Sequence, residues 1–143
     1  MKTVAEVLRS KSTPFVHSIE PDATLLDGLR MMAEHRIGAL LVMSGGRLLG
    51  IVSERDYVRK VALAERTMQS KISEIMTSEL ISVGPRDNVQ QCLELMTERR
   101  LRHLPVLADG ELIGLLSIGD LVKETIAGQA RMIEHLEQYI RGE

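Results

Sequence analysis

Two short segments of this chain place a serine three residues before an aspartate: Ser53-Glu54-Arg55-Asp56 and Ser117-Ile118-Gly119-Asp120. A Ser-x-x-Asp that opens a helix can do one of two things. The hydroxyl can cap the helix while the acid reaches back to the serine amide, although aspartate is shorter than the glutamate preferred there. Alternatively, the free N–H groups and dipole of the helix start attract a phosphate, the serine assists, and the carboxylate accepts from the two hydroxyls of a ribose. Taken singly, each segment is better explained as a cap. Recurrence at the same place in two halves of the chain favours the ligand.

A basic cluster, Arg99, Arg100, Arg102 and His103, lies ahead of the second of these segments. Arg99 and Arg100 at a helix end complement the helix dipole and stay solvated. Arg102 and His103 precede an apolar run; they either remain on the surface or face a cleft, where the guanidinium could fork onto phosphate. His17, His35 and His135 are scattered, without metal-ligand spacing. Cys92 falls on an apolar helical stripe and reads as a small buried hydrophobe. The sequence contains no nucleophile–base–acid set and no G-x-x-x-x-G-K-[ST] loop, so nothing points to an enzyme.

The elements that must hold these residues come from an internal repeat. Shifted by 64 positions, the segment from Val16 lies on the segment from Leu80 without a gap, matching Ser18 with Ser82, Pro21 with Pro85, Met32 with Met96, Gly50 with Gly114, Ser53 with Ser117 and Asp56 with Asp120. Each copy begins with an extended piece ending at proline, followed by the N-cap candidates Thr24 and Asn88. Asn88 with Gln91 makes a capping-box pattern. The following helix carries Val89, Cys92, Leu93 and Met96 on one stripe in the second copy, and Leu25, Leu29 and Met32 in the first. Two aliphatic runs then flank Gly45-Gly46 or Asp109-Gly110, pairs that tolerate the positive φ of a type I′ hairpin turn.

The order β-α-β-β-α, twice, predicts an α/β fold whose two repeats pack about a pseudo-twofold axis, each covering the other's sheet. The expected boundaries are an N-terminal helix and lead-in over 1–15, repeat 1 over 16–64, a linker over 65–79, repeat 2 over 80–126 and a C-terminal amphipathic helix over 127–143. In that tail, Met132, Ile133, Leu136, Tyr139 and Ile140 share one face and ask for a partner surface.

Composition narrows the classes. Hydrophobic residues make up 44% and aromatics 2%, so the core is aliphatic and lacks the stacking platforms of single-stranded nucleic-acid binders. A net charge of −2 gives no global basic footprint. The single cysteine suits a reducing compartment, and no apolar run approaches the ~20 residues of a membrane span. A cytoplasmic location, without nucleic-acid or membrane partners, is the expectation.

Taken together, the repeat, Ser18-Ile19-Glu20-Pro21, Arg102-His103-Leu104-Pro105-Val106 before a hairpin, Leu-Ile-Gly and Ser-x-x-Asp resemble tandem cystathionine-β-synthase (CBS) domains over about residues 1–126. The resemblance implies a Bateman module with two clefts for an adenine nucleotide: AMP or NAD, with ADP, ATP and S-adenosylmethionine as further candidates. It implies that Asp56 and Asp120 hold ribose and that Ser53 and Ser117 touch phosphate or ribose. Backbone at Ser18-Ile19, Ser82-Val83, Gly38-Ala39 and His103-Leu104, with Pro105 following, would frame adenine. Arg102-His103 stands where the first copy has Gly38-Ala39, and Arg55 stands where the second has Gly119, so the clefts should be unequal. No catalytic cofactor is implied. Further expectations are a homodimer, formed through apolar stripes on Thr3–Leu8 and Met132–Ile140, and an unidentified regulated protein. The rival function is a constitutive interaction scaffold with empty clefts; nucleic-acid binding through Arg99–His103 is a weaker third.

Overall fold

The computed structural model describes residues 2–11 and 16–142, so positions 12–15 of the lead-in fall outside the described residues. The chain divides into two compact units. One is continuous, residues 16–80; the other combines residues 1–15 with 81–143.

In the continuous unit, β1 (Ser18–Ile19) runs parallel to β2 (Ala39–Ser44), which forms an antiparallel hairpin with β3 (Arg47–Ser53). Gly45 and Gly46 turn the hairpin with φ of 58° and 78°, as a type I′ turn requires. Helix α2 (Leu25–His35) starts where Thr24 accepts from the Asp27 amide at 3.1 Å, and buries Leu25 and Met32. A three-residue turn, α3 (Glu54–Asp56), runs directly into a π-helix, Tyr57–Ala62.

The discontinuous unit repeats this plan with differences. Helix α4 (Val89–Arg99) opens on the expected capping box, with Asn88 and Gln91 exchanging bonds of 2.8 and 2.9 Å. Strands β4 (His103–Ala108) and β5 (Glu111–Ser117) form the hairpin, turned by Asp109 (φ 51°) and Gly110 (φ 80°). Here Ser82-Val83 is too short to count as a strand, and Val83 makes a single parallel bridge to Val106. Its amide donates to Pro105 at 3.0 Å and its carbonyl accepts from Leu107 at 2.9 Å. Helix α5 (Ile118–Arg141) is one uninterrupted rod of 24 residues, so the last helix of repeat 2 and the tail are a single element.

Each repeat is closed by the segment that precedes the other. Helix α1 (Val4–Ser10) packs on the second repeat: the Val4 and Ala5 amides donate to Asp87 and Pro85, at 2.7 and 3.0 Å, and Val89 donates to Lys2 at 3.1 Å. In the first repeat the linker does the same. Ile72 and Ser73 donate to Ala23 and Pro21, at 2.9 and 3.0 Å, and Leu25 donates to Ser70 at 2.9 Å. Close approach to the sheet requires glycine at two positions. A β-carbon at Gly114 would fall 2.7 Å from the Leu8 side chain, and one at Gly50 would fall 2.8 Å from the Thr77 carbonyl. The apolar stripe of Thr3–Leu8 is therefore no free surface, because Val4 and Val7 belong to the core of their own unit.

Both cores are aliphatic, with Tyr57 the one aromatic side chain among the described core residues. Cys92 is fully buried, and burial, followed by the nearby Asp87, pushes its thiol up to about 11. It packs as a hydrophobe and does not serve as a nucleophile.

Candidate functional site

Strand register gathers the sequence-selected residues at one end of each sheet. In the continuous unit Ala39 lies opposite Ser53, the Glu54 amide donates to Gly38 at 3.0 Å, and Ser18-Ile19 starts β1 beside Leu41-Val42. In the other unit His103 lies opposite Ser117, the Ile118 amide donates to Arg102 at 2.8 Å, and Val83 joins beside Pro105 and Val106. Leu104 and Pro105 are buried, so only their backbone could meet a ligand, and the Pro105 carbonyl already accepts from Val83.

Both Ser-x-x-Asp segments form closed capping boxes. Asp56 Oδ2 accepts from the Ser53 amide at 2.8 Å and from its hydroxyl at 3.2 Å, while Asp56 Oδ1 pairs with Lys60 at 3.2 Å. Both oxygens of Asp56 are thus engaged. Asp120 differs. Its Oδ2 takes both the Ser117 amide at 2.8 Å and the Lys11 ammonium at 2.9 Å, so Oδ1 has no partner among the described residues. Lys11 also donates to the Leu115 carbonyl at 2.8 Å, which fixes the ammonium beside the aspartate.

The electrostatics of the two ends diverge accordingly. Burial works to raise the Asp120 carboxyl, but the Ser117 amide and Lys11 outweigh it and hold the group below its ordinary value of 3.8. His103 is pushed below its ordinary 6.5, chiefly by burial. Asp120 opposes that shift, and Lys11 and Arg102 reinforce it. The exposed Arg102 side chain has no partner among the described residues. Lys11 and His103 therefore flank Asp120, and Arg102 adds a second fixed cation near His103. The corresponding end of the other unit has Gly38 and Ala39, with the Glu54 carboxylate 3.9 Å from where a side chain at 38 would begin.

Lys60 was legible in sequence, four residues after Asp56 on one helical face. Lys11 was not, since nothing local ties it to Asp120. The histidines read as scattered prove partly paired, because the rings of His17 and His35 stack with centroids 3.9 Å apart. Burial and the neighbouring His35 both lower the pKa of His17. Among the described residues no three His, Cys, Asp or Glu side chains are grouped to hold a metal. No helix among the described residues is long and apolar enough to cross a membrane. A groove of about 380 Å³ beside the π-helix, floored by Leu29, Tyr57, Val61 and Met68, includes none of the sequence-selected residues.

Comparison with known proteins agrees with the repeat. The family described as CBS domain matches twice, over residues 4–63 and 72–126. Both matches begin at the closing segments, Val4 and Ile72, which the structure relates to one another. The chain is 38% identical to CBS domain-containing protein CBSX3, mitochondrial, of Arabidopsis thaliana, over 98% of this chain and 72% of that one. It is 27% identical to CBS domain-containing protein YhcV of Bacillus subtilis, over 86% and 88% of the two chains. Among solved structures, a putative signal-transduction protein with CBS domains from Burkholderia ambifaria superposes with a TM-score of 0.86 at 48% identity, covering 90% of this chain and 96% of that one. Two sheet-and-helix units built to one plan, with the same family matching twice and each match opening on the segment that closes the other repeat, place this chain in the CBS-domain family as a tandem pair.

Proposed function

We propose that the chain is a regulatory module that binds an adenine nucleotide, AMP or NAD in the first instance, and passes its occupancy to a partner protein or a second copy without catalysing a reaction. The observation that carries this reading is the asymmetry between the two aspartates. Asp120 is held ionised with Oδ1 open beside Lys11, and Arg102 adds a second cation near His103. A capping box alone needs neither the open oxygen nor the cations. A ribose hydroxyl suits the free Oδ1, and a phosphate suits the guanidinium and ammonium. Asp56, with both oxygens engaged, is the weaker acceptor. ADP, ATP and S-adenosylmethionine share the adenosine and remain within this reading.

One observation favours the rival scaffold function: both capping boxes are complete without a ligand. Thermal denaturation with AMP, NAD, ATP, S-adenosylmethionine and adenosine separates the two. A ligand at 100 times its dissociation constant adds ~2.7 kcal/mol of stability. Flat melting temperatures across the panel at millimolar ligand leave only the scaffold. The same proposal includes a homodimer and a reducing, cytoplasmic setting. The second rests on a lone, buried cysteine that has no internal partner for a disulfide.

A further inference from the structure

We infer that α5 pairs side by side and in register with α5 of a second copy of this chain, forming a short parallel coiled coil. This rests on the homodimer reading above and gives it a specific surface. The start of α5 belongs to its own unit: Leu121 is fully buried and Glu124 pairs with Lys2 at 3.2 Å. Beyond Leu121 no residue of the helix is buried. Ile126, Ile133, Leu136 and Ile140 are 62, 57, 56 and 82% exposed, with Met132 and Tyr139 alongside at 66 and 83%. A helix whose outer turns bury none of their side chains gains little from propensity alone, so its length asks for a partner.

The spacing of the exposed residues says which partner. Val122, Ile126, Gln129, Ile133, Leu136 and Ile140 alternate steps of four and three, the heptad seam of positions d and a. Isoleucine occupies each a position from 126 onward, and leucine stands at d in 136; that combination favours two parallel strands. The charged residues of the rod, Asp120, Lys123, Glu124, Arg131, Glu134, Glu137 and Arg141, all fall off this seam and off the Met132–Tyr139 flank. Four are acidic and three basic, so the polar face lacks the basic excess that holds a helix on anionic lipid.

Gln129 selects a second copy over an unrelated apolar helix. Its carboxamide carries both donor and acceptor, so in register it satisfies its own counterpart. Against a purely apolar groove it would be buried without a bond, at a cost. One polar residue in such a seam also fixes register.

The test uses the full chain. Sedimentation velocity at micromolar concentration should give a species of twice 15.9 kDa. Gln129→Cys should form a covalent dimer under mild oxidation, while wild type, whose only cysteine is buried, should not. Ile133→Asp/Leu136→Asp should weaken the dimer by about 100-fold or more while the melting transition of the folded units persists. A monomeric wild type overturns the seam and the homodimer reading together. A dimer that survives Ile133→Asp/Leu136→Asp overturns the seam and leaves the homodimer. Cross-linking of Ile126→Cys to Ile140→Cys in a mixture, without any at Gln129→Cys, overturns the parallel register. Monomers that co-sediment with phosphatidylserine vesicles assign the face to lipid and overturn the pairing.

Discussion

The hydroxyl of Tyr57 donates to the carbonyl of Leu25 at 2.7 Å and fills the space that a β-carbon on Gly28 would need. The second repeat has the opposite solution, because Cys92 stands at the place of Gly28 and Leu121 at the place of Tyr57, both fully buried. A large ring against no side chain in one unit is exchanged for two medium side chains in the other. Burial, with Asp27 and Asp56 nearby, raises the tyrosine to about 12, so it stays protonated and keeps its bond.

Gly28→Ala should therefore cost about 1–3 kcal/mol by overpacking, read as a lower midpoint in urea. Tyr57→Leu should also destabilise, through lost volume and the lost hydroxyl bond to the Leu25 carbonyl. The pair Gly28→Cys/Tyr57→Leu copies the other repeat and should recover part of the loss, a coupling of about 0.5–3 kcal/mol. Strict additivity in the double-mutant cycle would show that the two sites do not share space.

For the ligand, Asp120→Ala should abolish the melting shift given by AMP, whereas Asp56→Ala should leave most of it. Equal losses at both positions would remove the distinction drawn from the open Oδ1 of Asp120.

Arg102→Ala and Lys11→Met should weaken AMP in calorimetry and leave adenosine nearly unchanged, since both side chains address phosphate. A bond to a charged group contributes about 1.5–3 kcal/mol, so each loss should exceed tenfold. An AMP isotherm untouched by Arg102→Ala would return that residue to the solvated surface.

Two groups give pH signatures. Asp120 has its folded pKa below the unfolded 3.8, so its contribution to stability is present above that value and is lost as pH falls through the folded one. Asp120→Asn should lie below wild type at neutral pH and converge with it in acid. His103 is neutral near pH 7, because its pKa is lowered. A bound phosphate favours the imidazolium, so AMP binding should take up a proton. The advantage of wild type over His103→Gln should then grow as pH falls from about 7.5 to 6. A ratio that stays constant over that range removes His103 from the site.

What could be read in advance was set by short-range chemistry. Thr24, Asn88 and the hairpin glycines are recognised from neighbours three residues away, and the structure puts each where that spacing demands. The aspartate boxes were legible for the same reason. What escaped depends on distant chain. Lys11 meets Asp120 only through the packing of α1 on β5, which no local pattern encodes. The kinship of Val4 with Ile72 was hidden because those segments are offset by 68 positions, not the 64 that relates the repeats. The continuity of repeat 2 with the tail was not legible either: α5 runs on through residue 126, where the second family match ends, with no glycine cap before Gly142.

The exchange of closing segments sets an order of events during synthesis. The unit of residues 16–80 is continuous, so it can close as soon as Thr77 has left the ribosome. Helix α1 is made first yet finishes last, since Val4 and Val7 have no cover until Leu104, Leu116 and Leu121 have been translated. A nascent chain of this protein thus carries an apolar N-terminal segment in waiting through most of its elongation, the kind of exposure that chaperones meet. Stalled chains that end near residue 80 should accordingly resist proteolysis over residues 16–80 and be cut within the first ten.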